Sequence, residues 1–154
     1  MDAVDRLDWH VLTGPERRRL QEAAGEVLAT RPWVVAAWHH GSSAQEGSAA
    51  RDIDLALVAG GTPAGPPAPA EVEAIAREMA ERSGIRAVPF DVRVVNDADP
   101  VFLGAMLRGG LRIYEGDREA RVEFEVRAMS LWLDFRPVWE RIRANARRRW
   151  VGGG

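Results

Sequence analysis

Two aspartates one residue apart, Asp52 and Asp54, follow the pair Gly41-Ser42 across a nine-residue spacer, and these four residues at this spacing could do chemistry. An Asp-x-Asp alone means little. Ten aspartates in 154 residues produce about 0.6 of them by chance, and a second copy, Asp97-Ala98-Asp99, is present. Context separates the two. Asp97 and Asp99 stand before Pro100, where turn-forming and helix-capping aspartates belong. Asp52 and Asp54 open an apolar β-type run, Ile53-Asp54-Leu55-Ala56-Leu57-Val58, where aspartate is unfavourable and side chains two apart project side by side. Adjacent carboxylates repel and raise one another's pKa unless a cation lies between them, so the pair is expected to hold a hard divalent metal, Mg2+. Gly41 permits a tight turn, and a serine with exposed backbone amides behind it can hold a phosphate. Together the two motifs describe a nucleoside triphosphate held against Mg2+.

The elements that must position these residues are legible in outline. Leu20, Ala23, Ala24, Val27 and Leu28 repeat at helical spacing over 14–31, with Pro15 in a first-turn position. The run 33–38 reads as a buried strand ending at His39-His40-Gly41-Ser42, 43–50 as a short helical turn and loop, and 52–58 as a second strand. A loop over 60–69 follows, and then a helix over 70–83 stopped by Gly84. Val88, Phe90, Val92 and Val94 alternate as a third strand. Asp99-Pro100 opens a helix that ends at Gly109-Gly110, and a short strand is expected over 111–114. Gly116-Asp117 opens a long amphipathic helix with Val122, Val126, Met129 and Leu133 among its apolar positions. Pro137 is expected to break or kink it, leaving a last helix over 138–149 whose Arg147-Arg148-Arg149 suits the dipole. Trp132, Phe135, Trp139 and Trp150 are expected in helix packing. This order predicts an α+β fold with a small mixed sheet flanked by helices and a helical C-terminal part, in a single domain over 1–154: a catalytic core at about 30–96 and a helical extension at about 98–150.

Composition narrows the chemistry. There is no cysteine, which excludes thiolate nucleophiles, disulfides and zinc-thiolate sites. All 21 basic residues are arginine, so there can be no Walker A lysine, kinase strand lysine or Schiff-base lysine. His39 and His40 fall on opposite faces of a strand end, and no zinc-type histidine spacing exists. A net charge of −2 argues against direct nucleic-acid binding. Asp2, Asp5, Arg6 and Asp8 break up the N-terminus and no apolar run approaches a membrane span, so no membrane association and a cytoplasmic location are expected.

The pattern Gly41-Ser42, spacer, Asp52-Ile53-Asp54-Leu55 resembles the minimal nucleotidyltransferases of the polymerase-β-like nucleotidyltransferase superfamily. The resemblance runs over about residues 20–140. It implies a third carboxylate on a later strand, which Asp91 matches within Phe90-Asp91-Val92-Arg93-Val94-Val95-Asn96. Tyr114-Glu115-Gly116-Asp117, Arg121, Phe124-Glu125, Ser130 and Asp134-Phe135-Arg136-Pro137 resemble the subgroup that acts as antitoxin beside HEPN ribonuclease toxins. The chain differs from the family's usual pattern in its nine-residue spacer where ten is common, in Gln45 where arginine is frequent, and in His40 where an aromatic precedes the glycine. Arg51, beside Asp52, is expected either as a substitute phosphate-binding charge or as a solvated loop arginine.

The resemblance implies transfer of AMP from ATP, as substrate, to a tyrosine hydroxyl of a HEPN-family toxin. Asp52, Asp54 and Asp91 would serve as catalytic and metal-binding residues, and Gly41, Ser42 and Arg51 as nucleotide-binding ones. Asp91 is then expected within about 4–6 Å of Asp52 and Asp54. Two alternatives are a catalytically weak or inactive antitoxin that neutralises its toxin by binding, and a nucleotidyltransferase acting on a small molecule such as an aminoglycoside.

Overall fold

A computed structural model describes residues 9–61 and 66–151 of the chain. Asp2, Asp5, Arg6, Asp8 and the middle of the 60–69 loop lie outside the described residues. The order of elements is β1 (His10–Val11), α1 (Gly14–Ala29), β2 (Val34–His40), a 3-10 turn (Ser42–Ala44), β3 (Ala49–Ala50) and β4 (Ile53–Ala59). It continues with α2 (Pro69–Ser83), β5 (Phe90–Val94), α3 (Pro100–Gly109), β6 (Leu111–Glu115) and α4 (Arg118–Val151). The helix signals act as expected. Asp99 accepts from the Phe102 N–H, and Gly84 closes α2 in the left-handed conformation at φ 70°. Thr13 and Glu16 add a reciprocal capping box to α1.

β5, β4, β2 and β6 lie side by side in a mixed sheet, with β4 parallel to β5 and β2 antiparallel to both β4 and β6. Strand alternation divides the core in two. Ile53, Leu55 and Leu57 of β4 pack with Leu20 and Leu28 of α1 and Ile75 and Met79 of α2. Ala56 and Val58 face the other way, with Trp38 of β2, Leu103 and Met106 of α3 and Phe124 and Ala128 of α4. The sheet therefore lies between two helical layers, the expected α+β arrangement. β1 and β3, not expected from sequence, pair antiparallel over two residues each.

The C-terminal half departs from expectation in two ways. α4 runs unbroken for 34 residues with Pro137 inside it. Pro137 and Leu133 are both exposed, so solvent is available to the Leu133 carbonyl whose N–H partner the proline removes. The apolar stripe Val122, Val126 and Leu133 is also exposed, while Phe124, Ala128 and Trp132 turn inward. The reason is shape. A Cβ on Gly104 of α3 would stand 2.5–2.9 Å from three ring atoms of Trp132, so glycine opens the slot that the indole fills and fixes which face of α4 is buried. Of the four aromatics expected in helix packing, Trp132 is buried, Phe135 and Trp139 are half-buried, and Trp150 is 90% exposed.

Candidate functional site

The site lies where β2 runs out and the parallel pair β4/β5 begins. His40, the last residue of β2, is registered with Asp54 of β4, and Asp54 with Asp91 of β5. Asp52 precedes β4 by one residue and shares the phase of Asp54. Strand pleating thus sends all three carboxylates to the same side, and one oxygen from each of Asp52, Asp54 and Asp91 lies within 4.8 Å of the others. Asp91 stands where it was expected relative to the pair.

Each carboxylate is half-buried, and the cluster is electrostatically tense. Burial, Asp52 and Asp91 together push the Asp54 carboxyl up to about 6. Arg93 grips Asp91 bidentately, with its Nε 3.2 Å from Oδ1 and its Nη2 2.8 Å from Oδ2, offsetting part of the negative charge from the solvent side. The His40 ring meets Phe102 edge-on at 5.3 Å, and burial with the nearby Arg93 cation lowers its pKa.

Gly41 makes the close approach possible. It adopts φ 74°, and a Cβ there would meet Asp54 Oδ2 at 2.5 Å, so both backbone and space demand glycine. The turn it opens is held from two sides by residues the motif does not include. Arg17 of α1 donates from Nη1 to the Ala44 carbonyl (3.2 Å) and from Nη2 to that of Gln45 (2.9 Å). His39, buried beneath the turn, shares a 2.7 Å hydrogen bond with the buried Ser43 hydroxyl. Burial first, then the Arg17 cation and the neighbouring His40 ring, depress the His39 pKa to about 4, so the ring is neutral. Strand alternation separates His39 from His40, but nothing in the sequence sets Arg17 apart from Arg18 and Arg19.

Beside the turn opens a cleft of about 350 Å³ lined by His40, Gly41, Ser42, Gln45, Phe102 and Gly109. Ser42 is exposed at its mouth, and Gln45 reaches the Gly109 carbonyl at 3.4 Å. Arg51 takes another direction, its guanidinium stacked over the Trp9 ring at 4.5 Å. The structure thus gathers Asp52, Asp54, Asp91 and Gly41, sets Ser42 at the adjoining cleft and occupies Arg51 with Trp9.

The donor set fits a hard divalent cation. It consists of carboxylate oxygens alone, from positions fixed by strand register, and a cation among them would relieve the repulsion that raises the Asp54 pKa.

No protein-family profile and no curated protein matches the chain by sequence. Solved structures do match in shape. A chain from the MntA–HpeT toxin–antitoxin is 18% identical with a TM-score of 0.60, over 79% of this chain and 93% of that one. A chain from a tri-AMPylated Shewanella oneidensis HEPN toxin in complex with MNT antitoxin is 16% identical, TM-score 0.60, over 85% and 98%. A third, from a toxin–antitoxin with AMP-PNP, is 17% identical, TM-score 0.60, over 82% and 97%. At such identities the likeness shows the fold: a mixed sheet between two helical layers, shared with chains of these toxin–antitoxin complexes.

Proposed function

We propose that this chain is a Mg2+-dependent nucleotidyltransferase that moves AMP from ATP to a tyrosine hydroxyl of a HEPN-type toxin, and that it thereby acts as an antitoxin. The observation that carries the reading is the meeting of Asp52, Asp54 and Asp91 within 4.8 Å beside a turn where only glycine fits. Two of the fold's neighbours support the direction, one containing an AMPylated HEPN toxin and one AMP-PNP.

In this reading Asp52, Asp54 and Asp91 hold the metal, which when bound supplies charge neutralisation for the triphosphate. Gly41 and Ser42 orient the phosphates at the cleft, and Arg17 and His39 keep their turn in place. The acceptor oxygen attacks the α-phosphorus, its proton passes to an Asp91 oxygen, and the bond to the leaving pyrophosphate breaks. Positioning and electrostatics supply the rate, which is why so few residues suffice.

The test is mass spectrometry of the HEPN-type protein after incubation with this chain, ATP and Mg2+. Transfer adds ~329 Da, or a multiple, to the acceptor through loss of pyrophosphate. Asp54→Asn should abolish the gain while leaving the domain folded. No mass change, with equal protection by wild type and Asp54→Asn, would replace catalysis by occlusion.

A further inference from the structure

Beyond Trp139 every described residue of α4 is exposed. Trp132 is the last buried position among the described residues, yet the helix continues to Val151, about 28 Å further at 1.5 Å per residue. In water most of a helix's stability comes from packing an apolar face rather than from propensity, so this stretch gains from a surface that covers one of its faces. The face is marked. Ala128 and Trp132 pack on the body, and Phe135, Trp139, Ile142 and Ala146 continue their line at spacings of three and four, the period of a helix-packing seam. Ile142 is 50% exposed, and Trp150 at the far end is open to solvent. An interface that begins inside the molecule thus runs on past its edge.

Charge says what kind of surface continues it. Residues 136–151 hold six arginines and one glutamate, a net of +5, whereas the rest of the chain, at −7, brings the total to −2. That glutamate, Glu140, is bonded to Arg136 at 2.9 Å. Helical spacing sets Arg136, Arg143 and Arg147 along one margin of the seam and Arg149 on the other. A second copy of this helix would bring arginine margins against arginine margins, which disfavours self-pairing. A phosphate backbone would answer the arginines but leave the apolar seam uncovered.

We propose that the free half of α4 is the docking helix for the acceptor protein, and that the acceptor offers an apolar groove edged by carboxylates. The partner's role as acceptor rests on the function proposed above, but the docking does not depend on catalysis. An apolar seam would supply the contact area and the arginines its orientation and approach rate.

The experiment is calorimetric titration of the full-length chain with the purified HEPN-type protein, in parallel with sedimentation of each variant alone. Ile142→Glu, and separately Arg143→Glu with Arg147→Glu, should weaken association at least tenfold. Ala144→Glu, on the opposite face of the same stretch, should bind within twofold of wild type. All four substituted residues are exposed, so circular dichroism should show folded helix in each variant. Asp54→Asn should bind as wild type does, and tight docking of the wild-type chain without mass transfer would sink the catalytic reading and leave this one standing. Three results would overturn the proposal. One is equal binding by wild type and the Ile142 and Arg143/Arg147 variants, or no binding by any. Another is a dimer of the chain alone that Ile142→Glu dissolves, making a second copy the occupant. The third is tight binding of a structured RNA of about 20 nucleotides that is lost with Arg143 and Arg147.

Discussion

Asp54 and His39 sit one strand apart and pull acid stability in opposite directions. The folded state holds the Asp54 proton up to about pH 6, while an ordinary carboxyl releases it near 3.8, so the folded chain binds more protons in between. Its contribution is favourable below that window and is lost as pH rises through about 6. In metal-free buffer at pH 7, Asp54→Asn should therefore raise stability by about 1 kcal/mol after allowance for partial exposure, read by calorimetry. His39 does the reverse. Its folded pKa is depressed to about 4 from 6.5, so its contribution is present above pH 6.5 and is lost as pH falls toward 4. His39→Gln, able to keep a bond to Ser43, should flatten the acid limb of the stability curve, and an unchanged limb would refute the assignment. At this scale the sequence was legible where type and spacing are unusual together, as at Gly41, Asp52 and Asp54. It was silent at Arg17 and Arg93, because in a chain whose 21 basic residues are all arginine the identity of a cation carries no information.

Among the elements, the contact between α3 and α4 rests on one missing side chain. Gly104→Ala would drive a methyl into the buried Trp132 ring, so the indole or the helix backbone must shift to admit it. The expected cost is about 1–3 kcal/mol, seen as a fall of several degrees in Tm, with the Asp52, Asp54 and Asp91 carboxylates untouched. A Tm within a degree of wild type would mean that the slot is not tight. The strands β2, β4 and β5 and the helices α1 to α3 could be read from hydrophobic period and caps, since their apolar residues are the ones buried. The face of α4 could not be, because Val122, Val126 and Leu133 repeat as regularly as Phe124, Ala128 and Trp132. Only Gly104, twenty-eight residues before Trp132, decides between the stripes. β1 and β3 escaped notice because two residues carry no period.

For the molecule as a whole, the sheet order places Asp91 at a margin. β5 is an outer strand with a single partner, β4, which it joins only after the crossover through α2 has closed. An outer strand held on one side is among the first parts of a sheet to open. A cation shared by Asp52, Asp54 and Asp91 would fasten this strand to the interior one like a rivet through two plates, and it would bind only where the plates are closed. Backbone amides of β5 should then exchange with deuterium more slowly when Mg2+ is added to wild type, and at an unchanged rate in Asp54→Asn. Loading of the site and closure of the sheet's edge would be a single event, so that a chain still completing its crossover could not hold the metal in place.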